Sequence, residues 1–115
     1  DAVYFAMNTL DGAHIGSVGL QKISKLDNLA SIDILIGDKN YWSKGYGYDA
    51  MKTVMDYGFK KLKLRKIELK VFSYNKRAIK LYKKIGFLIE GRRLKSIFYN
   101  GNYYDEIEMG IFRVW

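Results

Sequence analysis

Residues 37–50 read Gly-Asp-Lys-Asn-Tyr-Trp-Ser-Lys-Gly-Tyr-Gly-Tyr-Asp-Ala, and the step Lys44-Gly45-Tyr46-Gly47 stands where a helix-patterned run begins. The first turn of a helix carries backbone N–H groups without intrahelical partners, at the positive end of the dipole. Glycines there let a phosphate come close to the main chain. This points to a phosphorylated ligand. Gly45-x-Gly47-x-x-Ala50 also satisfies the dinucleotide fingerprint. That unit, however, needs a strand running straight into the glycines and a carboxylate closing the next strand. Here a polar loop intervenes, and Glu68 sits near the start of the following strand-like run. A plain helix-start turn is the other alternative.

The elements that must position this turn follow from composition and period. With 115 residues, 49% of them hydrophobic, the chain is expected to form one globular domain over residues 1–115 with a single core. Cysteine is absent, which excludes disulfides, thiolate metal sites and a Cys nucleophile and fits a reducing cytoplasm. No apolar run approaches the ~20 residues that span a bilayer, and no basic-then-apolar leader opens the chain, so no membrane partner is expected. Asp1 lies within two residues of a strand-like run, which suggests a longer protein that has lost its front.

The formal charge of +8 comes largely from lysines and arginines between Lys60 and Lys95. Such asymmetry fits nucleic acid, an anionic cofactor with several phosphates, or solvated helix faces. Ten tyrosines and six phenylalanines could stack on bases, yet most fall at core-period positions, which argues against nucleic acid.

Val3 to Asn8 alternates and ends in Thr9-Leu10-Asp11-Gly12, whose Asp-Gly pair marks a hairpin into His14 to Ile23. A polar turn around Lys25 to Asn28 leads to Leu29 to Ile36. From Tyr48 onward Ala50, Met51, Val54, Met55, Gly58, Phe59 and Leu62 recur at helical spacing. Ile67, Leu69 and Val71 alternate as a strand. Ser73-Tyr74-Asn75 supplies a cap, and Ala78, Ile79, Tyr82 and Ile85 line a short helix that stops at Gly86. Phe87 to Tyr99 and Tyr103 to Phe112 read as strands around Asn100-Gly101-Asn102. Three strands, a helix, a strand, a helix and a hairpin make a mixed α/β, or α+β, fold with a mostly antiparallel sheet of about six strands. The strand before the glycine loop and the strand after the long helix are expected to lie parallel and to splay at their carboxyl ends.

Taken in order, these residues resemble the GCN5-related N-acetyltransferases, in the branch of ribosomal-protein alanine and spermidine acetyltransferases. Tyr41-Trp42-Ser43-Lys44-Gly45-Tyr46-Gly47 is similar to the acetyl-CoA pyrophosphate loop, Arg/Gln-x-x-Gly-x-Gly/Ala. Asn75 through Phe87 is similar to the second cofactor segment, Asn-x-x-Ala-x-x-x-Tyr-x-x-x-Gly-Phe, and the terminal hairpin from Glu90-Gly91 to Met109 is also typical. The likeness covers nearly the whole chain and implies the acetyltransferase fold without its N-terminal helices. Trp42 departs from the usual Arg or Gln, and Ser31 from a frequent strand carboxylate.

The resemblance implies acetyl-CoA as acetyl donor. Its pyrophosphate would be held by Ser43, Lys44, Gly45, Tyr46, Gly47 and Tyr48, and its peptide-like arm would pair with Leu35, Ile36 and Gly37. Asn75 would reach the arm or serve only as a helix cap, with Ala78 beside it. Lys80 and Lys83 would lie near the ribose phosphate or be solvated charges. A neutral amine would attack the thioester directly, with an N–H at Leu35 or Ile36 facing the developing oxyanion. Tyr82 is the candidate acid for the departing sulfur, a phenol near pKa 10 serving a thiol near 8.5; its other reading is a core tyrosine. Asp33, or a water chain to Glu106 or Glu108, is a candidate base. His14 reads as a turn-flanking surface residue, and no metal-ligand cluster is expected.

The acceptor implied is a primary amine: a protein N-terminus, a polyamine met by Asp105, Glu106 and Glu108, or a small amine. A homodimer fits this reading. A catalytically inactive acyl-CoA-binding module and a basic nucleic-acid-binding domain are the alternatives.

Overall fold

The computed structural model describes residues 1–37, 41–42 and 44–113. The chain is mixed α/β, with six strands and two helices among the described residues in the expected order, and it divides into two compact units. One comprises Asp1–Ile67 with the C-terminal residues from Phe112, the other Glu68–Ile111.

The first unit begins with an antiparallel meander, β1 (Val3–Asn8), β2 (His14–Ser24) and β3 (Leu29–Ile36). Its first turn is tied by the Thr9 hydroxyl, which bonds the Asp11 carboxylate and accepts the Ala13 N–H, while Gly12 takes φ 92°. Phe5 pairs with Val18 and Val18 with Ile34, so one sheet face collects their side chains with Leu20 and Ile32. Helix α1 (Tyr46–Lys60) buries Met51, Val54, Met55, Gly58 and Phe59. An ideal Cβ on Gly58 would stand 3.0 Å from both Leu20 and Leu64, which brings helix and sheet into direct contact. Each large side chain sealed this way contributes about 1.5–3 kcal/mol. Leu62, which continues the helical period in sequence, lies past the end of α1. Lys63 turns left-handed at φ 59° and sends Leu64 back to bond the Gly58 carbonyl.

The second unit holds most of β4 (Lys66–Phe72), α2 (Lys76–Ile85), β5 (Leu88–Tyr99) and β6 (Asn102–Phe112), with β6 between β4 and β5. The β5–β6 turn has φ 50° at Asn100 and 86° at Gly101, the left-handed pair that a two-residue hairpin needs. Phe87, expected to open the strand, instead closes α2. Its N–H bonds the Tyr82 carbonyl and that of Gly86 bonds Lys83, a Schellman ending that buries the Phe87 ring. Among the described residues no helix is long and apolar enough to cross a membrane.

Candidate functional site

In the first unit, the end of β3 and the start of α1 carry the predicted phosphate and arm contacts. Gly37 N–H donates to the Ile15 carbonyl at 3.0 Å, which fixes the phase of the β2–β3 ladder. In an antiparallel pair, residues that exchange bonds alternate with residues that do not. Leu35, opposite Ser17, therefore turns its N–H toward β2, while Ile36, opposite Gly16, turns N–H and C=O to the other edge. Of the two candidate oxyanion donors, Ile36 is the one whose N–H points away from β2. The Leu35 side chain is exposed. The Ile36 carbonyl accepts the indole N–H of Trp42 at 2.9 Å.

Among the described residues, helix α1 starts without a side-chain cap. Gly45 is its N-cap residue at φ 89°, a left-handed conformation, and no described atom lies within 4 Å of where a Cβ would stand. The first intrahelical bond runs from Asp49 N–H to the Gly45 carbonyl, so the amides of Tyr46, Gly47 and Tyr48 precede the helical ladder and point along its axis. Lys44 and Gly45 are exposed and Gly47 is buried. The Tyr46 ring meets Tyr41 edge-on at 5.4 Å, which ties the loop to the helix. Ser43 lies outside the described residues. Beside this turn an apolar groove of about 480 Å³ separates β1 from α1, lined by Phe5, Met7, Val18, Val54 and Tyr57, with Tyr46 and Asp49 also on its wall.

In the second unit, Asn75 caps α2. Its side-chain oxygen accepts the Ala78 N–H at 3.2 Å, which leaves the amide NH₂ of the same side chain for a ligand; the two readings of Asn75 are compatible. Ala78 is buried against the helix start, and Lys80 and Lys83 are exposed. Tyr82 is half-buried with its ring 6.1 Å from that of Phe87 at 64°, so one part packs on the core and another reaches the surface.

The carboxylates separate by role. Asp33 is exposed on β3. Asp105 is committed inside the hairpin: it accepts the Lys95 main-chain N–H and an Arg92 guanidinium N–H, each at 3.0 Å. The Lys95 amide, with Arg92 assisting, holds its carboxyl below the ordinary 3.8. Glu106, with Arg93 at 3.6 Å, and Glu108 alternate onto the opposite face of β6. Asp105 is thus removed from the polyamine wall drawn from sequence. His14 is exposed, its Nδ1 3.2 Å from the Asn8 side-chain oxygen, as a turn-flanking residue would be.

Three features escaped sequence reasoning. The partnership of Trp42 with Ile36 had a signal in the departure from the loop motif. The Asp105–Lys95 bond and the close approach at Gly16 had none.

The sequence matches the family model described as an acetyltransferase (GNAT) domain over residues 1–88. It is 40% identical over 103 residues to the spermidine N(1)-acetyltransferase of Escherichia coli K12, covering 90% of this chain and 55% of that protein. It is 32% identical over 102 residues to the L-amino acid N-acetyltransferase AaaT of Escherichia coli K12, covering 87% of this chain and 62% of that one. Among solved structures, spermidine N-acetyltransferase from Vibrio cholerae in complex with CoA and spermine matches with a TM-score of 0.88 at 32% identity, over 96% of this chain and 65% of the other. A dodecameric structure of the Vibrio cholerae enzyme matches with a TM-score of 0.88 at 32% identity, over 96% and 64%. The chain spans about half the length of the curated spermidine acetyltransferase it matches.

Proposed function

The chain belongs to the GNAT acetyltransferase family, and from that premise we propose that it moves an acetyl group from acetyl-CoA to a primary amine by direct attack in a ternary complex. The observation that carries this reading is the entrance to α1, where a left-handed Gly45 leads into first-turn amides that precede the helical ladder. Ser43 through Tyr48 hold the diphosphate with main-chain donors, and Lys44 adds a charge. Leu35, Ile36 and Gly37 border the edge on which the arm lies. Asn75 donates its amide NH₂ to the arm at the Ala78 end of α2, with Lys80 and Lys83 toward the ribose phosphate.

The thioester supplies an electrophilic carbonyl and a thiolate leaving group. Ile36 N–H faces the oxygen on which charge develops, and a preorganised donor of this kind accounts for factors of about 10²–10³ in turnover. The Tyr82 hydroxyl delivers a proton to the departing sulfur. Asp33, or a water relay ending at Glu106 or Glu108, takes the first proton of the incoming ammonium, and the second, shed by the nitrogen as the amide forms, restores the Tyr82 hydroxyl.

Spermidine and spermine head the amines to assay, because the spermidine enzymes described above are similar over nine-tenths of this chain or more. Self-association, as a homodimer or a larger assembly, belongs to the same proposal, with the cytoplasm as its compartment. Calorimetry with acetyl-CoA and thiol release across an amine panel test it. Binding with amine-dependent thiol release is expected. Binding without release would favour an inactive acyl-CoA-binding module, and no binding at physiological salt would remove both.

A further inference from the structure

We propose that Trp42 is a positioning residue for the acetyl-transfer step, acting through the Ile36–Gly37 peptide; the inference rests on the acetyl-CoA reading above. A single peptide plane is gripped at both ends. Its N–H, from Gly37, donates to the Ile15 carbonyl at 3.0 Å, and its C=O, from Ile36, accepts the Trp42 indole N–H at 2.9 Å. The preceding plane is held differently. The Leu35 carbonyl lies over Gly16, where an ideal Cβ would be 1.9 Å from the oxygen and 3.0 Å from the Ile36 Cα, so only a glycine on β2 leaves room for it. The Ile36 N–H belongs to that second plane, and its direction is set by the two planes that share the Ile36 Cα.

Gly16 fixes one plane from below and the Ile15–Trp42 pair fixes the other from both sides. The result is a backbone donor aimed away from β2, with the carbonyl on the same side already occupied by the Trp42 indole. That occupation matters electrostatically. An uncompensated Ile36 carbonyl on that side would repel a developing oxyanion, and the indole dipole offsets it. Trp42 stands where the resembling loop motif has Arg or Gln, so here an indole N–H takes that place in the loop.

Trp42→Phe keeps an aromatic side chain and removes the indole N–H donor together with the second ring. In the full chain, turnover with acetyl-CoA and spermidine is expected to fall about tenfold while KM for acetyl-CoA stays within about twofold, as for a weakened oxyanion donor. Thermal midpoint should be unchanged, and hydrogen exchange at the Gly37 amide should accelerate as the plane loosens. A variant with wild-type turnover and wild-type exchange would overturn the inference, as would a turnover loss that only tracks a lowered midpoint. If the wild-type chain neither binds acetyl-CoA nor releases thiol, the transfer reading fails on its own and the inference falls with it. Accelerated exchange at Gly37 would then show only that Trp42 holds the peptide.

Discussion

Gly45 takes φ 89° at the mouth of α1 with no described atom near its missing Cβ, so Gly45→Ala separates strain from crowding. A side chain in this conformation costs about 1–2 kcal/mol, which a lowered thermal midpoint reads. A phosphate excluded from the same space reads independently, as acetyl-CoA binding weaker by about tenfold or 1.4 kcal/mol in calorimetry. A variant that loses stability and keeps full affinity would mean that the diphosphate is held elsewhere. Tyr82→Phe, by contrast, should leave binding nearly intact and reduce turnover on the order of 10²-fold, the scale of a lost general acid. Normal turnover would return Tyr82 to a packing role against Phe87.

Helix α2 shows how a local signal and a tertiary one combine. Asn75→Asp preserves a capping oxygen for the Ala78 N–H while removing the amide donor, so the helix should remain formed as acetyl-CoA affinity falls. Asn75→Ala should in addition lose about 1 kcal/mol of stability. The hairpin carries its own pH signature. Asp105 has a folded carboxyl held below 3.8, chiefly by the Lys95 amide. Because the folded value is depressed, the stabilisation is complete above the unfolded value and disappears as pH falls through the folded one. Near-ultraviolet dichroism of the neighbouring tyrosines should therefore be flat through neutrality and change only in acid, with Asp105→Asn removing that step.

The elements of this fold were legible because their signals are local. Asn100-Gly101 needs two left-handed residues in succession, and Met51, Val54, Met55 and Gly58 repeat at the helical period. The glycine turn that opens α1 was legible for the same reason. Asp105 was not, since its partners are Lys95 and, through main-chain and hydroxyl bonds, Ser73, 32 residues away. Nor was Gly16, whose necessity comes from a carbonyl on another strand. Periodicity reports which face of a residue is buried and says nothing about which distant main-chain atom will meet it.

On the scale of the whole molecule, a formal charge of +8 and a multiply anionic ligand give two coupled expectations. Acetyl-CoA affinity should decline as salt rises, by screening of the charges that attract it. At a hundred times Kd the ligand should stabilise the protein by about 2.7 kcal/mol, visible as a raised thermal midpoint. A ligand that bound folded and unfolded chain alike would leave that midpoint where it was.

The outer strand of the second unit bears on solubility. β5 ends the order β4-β6-β5, and its twelve residues are nearly all exposed, Leu88, Leu94 and Phe98 among them. Such an edge invites a foreign strand to add itself. Its ladder is interrupted between Ile89 and Gly91 and again between Arg93 and Ile97, where Lys95 turns left-handed at φ 48° and spends its amide on Asp105. An intruding chain therefore meets no continuous row of donors and acceptors, and a run of cations sits at the break. Asp105→Asn should relax this defence, so that light scattering shows more self-association than in the unchanged chain.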